Sequence, residues 1–143
     1  FYFDYYFYLD NAIMYAQSFV NSPIDQDVYL RAGNSGSLKI WINDALISSV
    51  IEERNCDLDI YSYKVHLNQG INRILVQIGQ SEISRANFMI RLTDENANPI
   101  SGLTSNASYS SYKKSKAEPT NDLLPFFAED FLSKKIKESL DNR

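Results

Sequence analysis

The side chains of this sequence best suited to chemistry are aromatic and stand on segments of alternating pattern. Trp41, within Leu38-Lys39-Ile40-Trp41-Ile42, is out of phase with Leu38, Ile40 and Ile42. If those three face a core, the indole faces outward, where a flat aromatic surface can stack on a sugar ring. Tyr29, Tyr2 and Tyr6 occupy the corresponding outward phase of their own segments and complete a candidate ligand-binding set. The competing reading of Trp41 is structural: a neighbouring segment, such as the tyrosine-rich start of the chain, covers the ring.

The remaining candidates are thinner. Glu52, Glu53, Asp57 and Asp59 crowd the polar stretch 50–60, and Asp57 and Asp59 are the calcium candidates, since oxygen-rich loops hold that ion. Their Asp-x-Asp spacing lacks the glycine and the spaced acidic ligands of a dedicated calcium loop, so a solvated acidic loop is the simpler expectation. His66 is the single histidine and Cys56 the single cysteine, which denies zinc or Cys–His chemistry its partners. Nothing singles out a carboxylate pair for glycoside hydrolysis. Gly33-Asn34-Ser35-Gly36 is not a phosphate loop, because no helix follows it. Asn106-Ala107-Ser108 is a glycosylation sequon, meaningful only in a eukaryotic secretory setting. Asn43 and Asn72 border tight turns, where side-chain amides bond to backbone. The expectation is a protein without catalytic residues, cofactor or metal.

The elements that would position these residues are short strands. Residues 1–10 alternate, with Phe1, Phe3, Tyr5, Phe7 and Leu9 on one face and Tyr2, Asp4, Tyr6, Tyr8 and Asp10 on the other. Asn11–Val20 carries helix formers, but Phe19-Val20 followed by Asn21-Ser22-Pro23 favours a strand ended by a turn. Val28, Leu30 and Ala32 oppose Tyr29 and Arg31, and the Gly33–Gly36 turn signal leads into the Leu38 strand. Asn43-Asp44 then breaks the apolar run before Ala45-Leu46-Ile47, which spells a β-hairpin. Tyr61–Leu67, Ile74–Ile78 and Phe88–Leu92 alternate in the same way, with turns at Asn68-Gln69-Gly70 and Asp94–Pro99. Seven or eight such strands predict an antiparallel β-sandwich over residues 1–100.

From Ser101 the pattern changes. Residues 101–120 are rich in Ser, Asn, Tyr and Lys without a period and read as a linker. Residues 121–143 predict an amphipathic helix, capped by Asn121, with a stripe of Leu124, Phe127, Phe131, Leu132, Ile136 and Leu140. One such helix cannot bury its own stripe, so it must pack on the sandwich or begin a helical repeat array.

Composition narrows the class. With 44% hydrophobic and 22% charged residues in 143, the chain can build one core and stay soluble. A net charge of −4 without a dense basic patch argues against nucleic acid. No run reaches the length of a membrane helix. Phe1 is not an initiator residue, and a chain that opens in mid-strand reads as a piece of a longer protein.

Two stretches carry a resemblance. Val28-Tyr29-Leu30-Arg31-Ala32-Gly33 with Gly36–Asp44, and Leu67–Ile78 with its Gly-Ile-Asn-Arg-Ile-Leu-Val core, are similar to the galactose-binding-domain-like jelly rolls. The likeness covers about residues 12–95 and departs at Asp44, where the family carries glycine. It implies a jelly-roll β-sandwich followed by a C-terminal α-helix, of the kind attached ahead of tetratricopeptide-type repeats in bacterial exported proteins. The role it implies is a non-catalytic interaction or spacer module, at the cell surface or in the periplasm. Its partner would be a protein or the remaining domains of the same chain, met through the Tyr-rich N-terminal strand and the C-terminal helix. The alternatives are a carbohydrate-binding module using Trp41 and surface tyrosines, and an accessory domain of a glycoside hydrolase.

Overall fold

The structure is a computed structural model and describes residues 11–52, 54–80, 86–115 and 137. Eight strands are described: β1 (Ala12–Ser22), β2 (Gln26–Asn34), β3 (Ser37–Ile42), β4 (Ala45–Val50), β5 (Tyr61–Leu67), β6 (Gly70–Gln80), β7 (Phe88–Thr93) and β8 (Thr104–Asn106). They form a five-stranded sheet in the order β4-β3-β6-β1-β8 and a three-stranded sheet in the order β5-β2-β7. The pairings within both sheets are antiparallel.

Alternation decides what lies between the sheets. Leu38, Ile40 and Ile42 of β3, with Ile74 and Val76 of β6, meet Val28, Leu30 and Ala32 of β2 and Val65 and Leu67 of β5 in one buried cluster. The ladders satisfy the backbone polar groups of these strands, so the apolar side chains set the gain: about 1.5–3 kcal/mol for each large one fully buried. Ser48 and Tyr63 join the two sheets through a buried hydroxyl pair at 2.8 Å.

The stretch with helix formers, Asn11–Val20, is indeed extended. β1 pairs with β6 over eleven residues in a single register, which outweighs the weak helical propensity of Ala, Met and Gln. The hairpin turn also forms as its residues dictate: Asn43 and Asp44 both have left-handed backbone, at φ 50° and 70°. The register of β3 on β4 shifts between Ile40 and Trp41, a bulge one step before the indole.

Within 101–120, Thr104–Asn106 extends the larger sheet as β8, pairing with Phe19–Asn21. Tyr109 and Tyr112 then lie on the Phe19 ring, at centroid distances of 5.6 and 6.2 Å. The N-terminal strand 1–10, with Tyr2 and Tyr6, lies outside the described residues. So do residues 116–120 and, apart from Lys137, the helix expected over 121–143. No helix among the described residues is long and apolar enough to cross a membrane.

Candidate functional site

Trp41 stands on the face of the larger sheet turned away from the core. Its neighbours across the ladder are Leu75 of β6 and Leu46 of β4, and Leu75 in turn lies opposite Gln17 of β1. The adjacent row holds Tyr15, Gln77 and Lys39, with the Tyr15 hydroxyl donating to Gln77 Oε1 at 3.1 Å. Trp41, Leu46 and Leu75 are half-buried, while Tyr15 is 61% and Ile13 63% exposed. The result is a contiguous aromatic and aliphatic surface with two amides and an ammonium group set into it.

Tyr29 does not join this surface. It alternates with Val28 and Leu30 on β2 and therefore faces away from the core on the other sheet, with the Arg31 guanidinium 5.5 Å from its ring centre. Trp41 and Tyr29 stand on opposite outer faces and cannot grip one ligand.

One end of the aromatic surface is closed by the segment 107–115, and Asp44 holds it there. The Asp44 carboxylate accepts from the Tyr112 hydroxyl at 2.8 Å and from Arg73 at 3.2 Å, and pairs with Lys114 at 3.4 Å. Burial works to raise its pKa, but Tyr112, Lys114 and Arg73 together hold it below the ordinary carboxylate value. The Ser115 amide donates to the Asn43 carbonyl at 2.8 Å, continuing the strap over the turn. A glycine at position 44 would relieve the left-handed backbone but would anchor nothing.

Behind the turn, Asn43 and Asn72 form a fully buried amide pair. Asn43 Nδ2 donates to Asn72 Oδ1 at 2.7 Å, and Asn43 Oδ1 accepts the Arg73 amide at 2.9 Å. Asn72 binds Asn68 through both its amide and its carbonyl, and also the Gly70 carbonyl. Both asparagines hold backbone, as their positions beside turns implied.

The three-stranded sheet carries a charged outer face. Arg31 is 3% exposed and donates to Thr93 Oγ1, to Ser62 Oγ and to the carbonyls of Asp94 and Glu95; burial lowers its pKa. Arg91, its cross-strand neighbour, holds the buried Asp59 carboxylate with its Nε at 2.9 and 3.1 Å and with Nη2, and that pairing raises the Arg91 pKa. Asp57 is exposed, with Arg54 at 3.8 Å. The two calcium candidates thus serve different arginines, and among the described residues no three His, Cys, Asp or Glu side chains gather as metal ligands. The loop 54–59 crosses close to β2 at Gly33, where a Cβ would come within 2.0 Å of the Asp57 carbonyl oxygen. His66 Nδ1 meets Asp27 at 2.9 Å, beside Lys64 at 3.3 Å, on exposed β5 and β2. The Cys56 thiol is half-buried, and burial raises its pKa.

No protein-family model matches the chain, and no curated protein or solved structure matches it either.

Sequence reasoning missed three contributors to the candidate surface: Tyr15, Leu75 and the Asp44 anchor. Tyr15 was legible, since it shares the outward phase of Ile13 and Gln17 once residues 12–22 are taken as a strand. Asp44 carried a signal too, as an acid standing at a hairpin position where glycine is better suited.

Proposed function

We propose that this domain is a non-catalytic interaction module of jelly-roll type, working inside a larger exported bacterial protein and meeting a protein partner through the outer face of its five-stranded sheet. The observation that carries this reading is the exposure of Ile13 and Tyr15 on the same outer face as Leu75 and Trp41, with Tyr15 in the row next to theirs. Apolar side chains on both faces of one strand leave one set without a core, and a contiguous exposed set of that kind is what protein interfaces use. The two antiparallel sheets are compatible with a jelly roll, and the likeness of residues 12–95 to galactose-binding-like domains supports placement beside other domains. A second reading is a carbohydrate-binding module, favoured by the Gln17 and Gln77 amides set among Tyr15 and Trp41.

A photo-reactive phenylalanine analogue placed at Tyr15 tests the first reading in the source cells. The expected result is one discrete protein adduct that is absent when the analogue replaces Lys64 on the opposite sheet. Equal adducts from both positions, or none from Tyr15, would refute it. Glycan-array binding that is lost in Trp41→Ala would establish the second reading instead.

A further inference from the structure

Lys39 stands on the outer face of the five-stranded sheet, between the buried Leu38 and Ile40 on β3 and opposite Gln77 of β6 and Ser49 of β4. It shares a row with Tyr15, and Trp41 follows it two residues on along the same face of β3. The side chain is half-buried, yet among the described residues its ammonium group makes neither a hydrogen bond nor an ion pair. Arg73, one row past Trp41, differs: Gln17, Asp44 and Tyr112 all accept from its guanidinium.

The charge around Lys39 is one-sided. The rows that start at Ile13, Tyr15 and Gln17 carry no Asp or Glu on β1, β6, β3 or β4. The chain holds 18 acids against 14 lysines and arginines, so the acid surplus is placed elsewhere and Lys39 gives this part of the face a positive sign. What covers the face decides what happens to that charge. A partner seated on both Tyr15 and Trp41 takes the ammonium group beside them out of water. An ammonium stripped of water without a counter-charge is strongly unfavourable, so a wholly apolar partner is rejected there. A carboxylate brought to the same point replaces the lost water with a charge-assisted hydrogen bond, and the Gln77 amide and Ser49 hydroxyl flank it with further donors.

We propose that the partner of this face is a protein segment that presents one Asp or Glu side chain to Lys39, between apolar side chains that cover Tyr15 on one side and Trp41 with Leu75 on the other. This pairing rests on the outer face being the interface proposed above. Charge complementarity selects the occupant, because an uncharged glycan stacked on Trp41 would leave Lys39 without its counter-charge.

The test uses the full chain in the source cells, with the photo-reactive phenylalanine analogue in place of Tyr15 throughout. Lys39→Arg keeps the charge, Lys39→Met removes it and Lys39→Glu reverses it. The protein adduct should persist in Lys39→Arg, weaken in Lys39→Met and fall by about tenfold or more in Lys39→Glu, since like charges facing across an interface repel. Lys39→Met, with the melting temperature of each variant, separates the charge effect from a folding defect. With Tyr15 restored, carbodiimide treatment of the assembly isolated from the same cells should join the Lys39 amine to an Asp or Glu of the adduct protein. Mass spectrometry should find that amide in the Lys39 protein and not in Lys39→Arg. Equal adduct yield with Lys39 and Lys39→Glu, or no such amide in an assembly that contains the adduct protein, would overturn the charge pairing while the interface stands. Absence of any adduct with Lys39 in place would overturn the interface and the pairing together. Lys39-dependent retention on polygalacturonate without a protein adduct would assign the ammonium group to an acidic polysaccharide and overturn the proposal as well.

Discussion

Replacing Asn72 with alanine tests the claim that the hairpin is held from behind by a buried amide pair. Asn72 is fully buried and its side chain makes four hydrogen bonds: from Asn43 Nδ2 at 2.7 Å, from the Asn68 amide at 2.9 Å, and to the Asn68 and Gly70 carbonyls at 2.7 and 3.0 Å. Alanine removes all four and leaves the Asn43 amide, itself buried, facing an apolar methyl. A buried polar group left unpaired costs about 1–3 kcal/mol. Of the groups stranded here, Asn43 is buried and Asn68 is half-buried and can regain water. The expected loss is therefore about 3–5 kcal/mol, a large share of the roughly 5–15 kcal/mol that holds a domain together. Urea unfolding followed by tryptophan fluorescence measures it, with the slope unchanged if the compactness of both states is preserved. Asn43→Ala should cost a similar amount, and the double variant less than the sum, because each single change already breaks the shared bond. A loss below about 1 kcal/mol in Asn72→Ala, or strict additivity with Asn43→Ala, would refute the view that the two amides act as one support.

Three further outcomes follow from the same geometry. Ile40→Asp puts an unpaired carboxylate into the core and should prevent folding or cost more than about 3 kcal/mol, while Lys39→Asp on the outer face should cost less than about 1 kcal/mol; equal melting temperatures would invert the phase of β3. Asp44→Gly should change global stability by less than about 1 kcal/mol, since relief of the left-handed backbone offsets the lost ion pairs. Amide exchange at Ser115 should nevertheless speed up, and an unchanged rate would show that Asp44 does not anchor the strap. The pKa of Asp27 is lowered, first by its hydrogen bond from His66 and then by Lys64, so its contribution is present above the unfolded carboxylate value near about 4 and is lost as pH falls through the folded one. Because the group is exposed the contribution should stay below about 0.5 kcal/mol, and stability measured from neutral to acid pH should lose this small component in Asp27→Asn.

What was legible in the sequence, and what was not, divides along the two faces of each strand. Inward residues declare themselves, because a period of two in Val28–Ala32, Leu38–Ile42 or Ile74–Ile78 is enough to know that one set is buried. Outward residues depend on what else crosses that face, and the crossing segment is far away in the chain. Trp41 and Tyr29 looked equivalent by phase, yet they stand on different sheets, a fact set by the pairing of β3 with β6 and of β2 with β5. Arg31 shares the outward phase of Tyr29 in the sequence but is buried among Thr93, Ser62 and two carbonyls of the 94–95 turn. Asp59 read as part of a wet acidic loop but is buried on Arg91. Such crossings do leave one local trace, a break in alternation. Phe19 stands beside Val20, so β1 has large apolar side chains on both faces at one point, and both are buried. A second apolar face needs its own cover, and residues 101–120 hold aromatics that their lack of period left unplaced. Tyr109 and Tyr112 are the cover for Phe19. Where alternation fails in the middle of a strand, the unplaced aromatics of an irregular segment are the first residues to test as its partner. The same argument applied to Ile13 and Tyr15, which no described segment covers to the same depth, is why the proposed partner surface is placed at that end of the sheet.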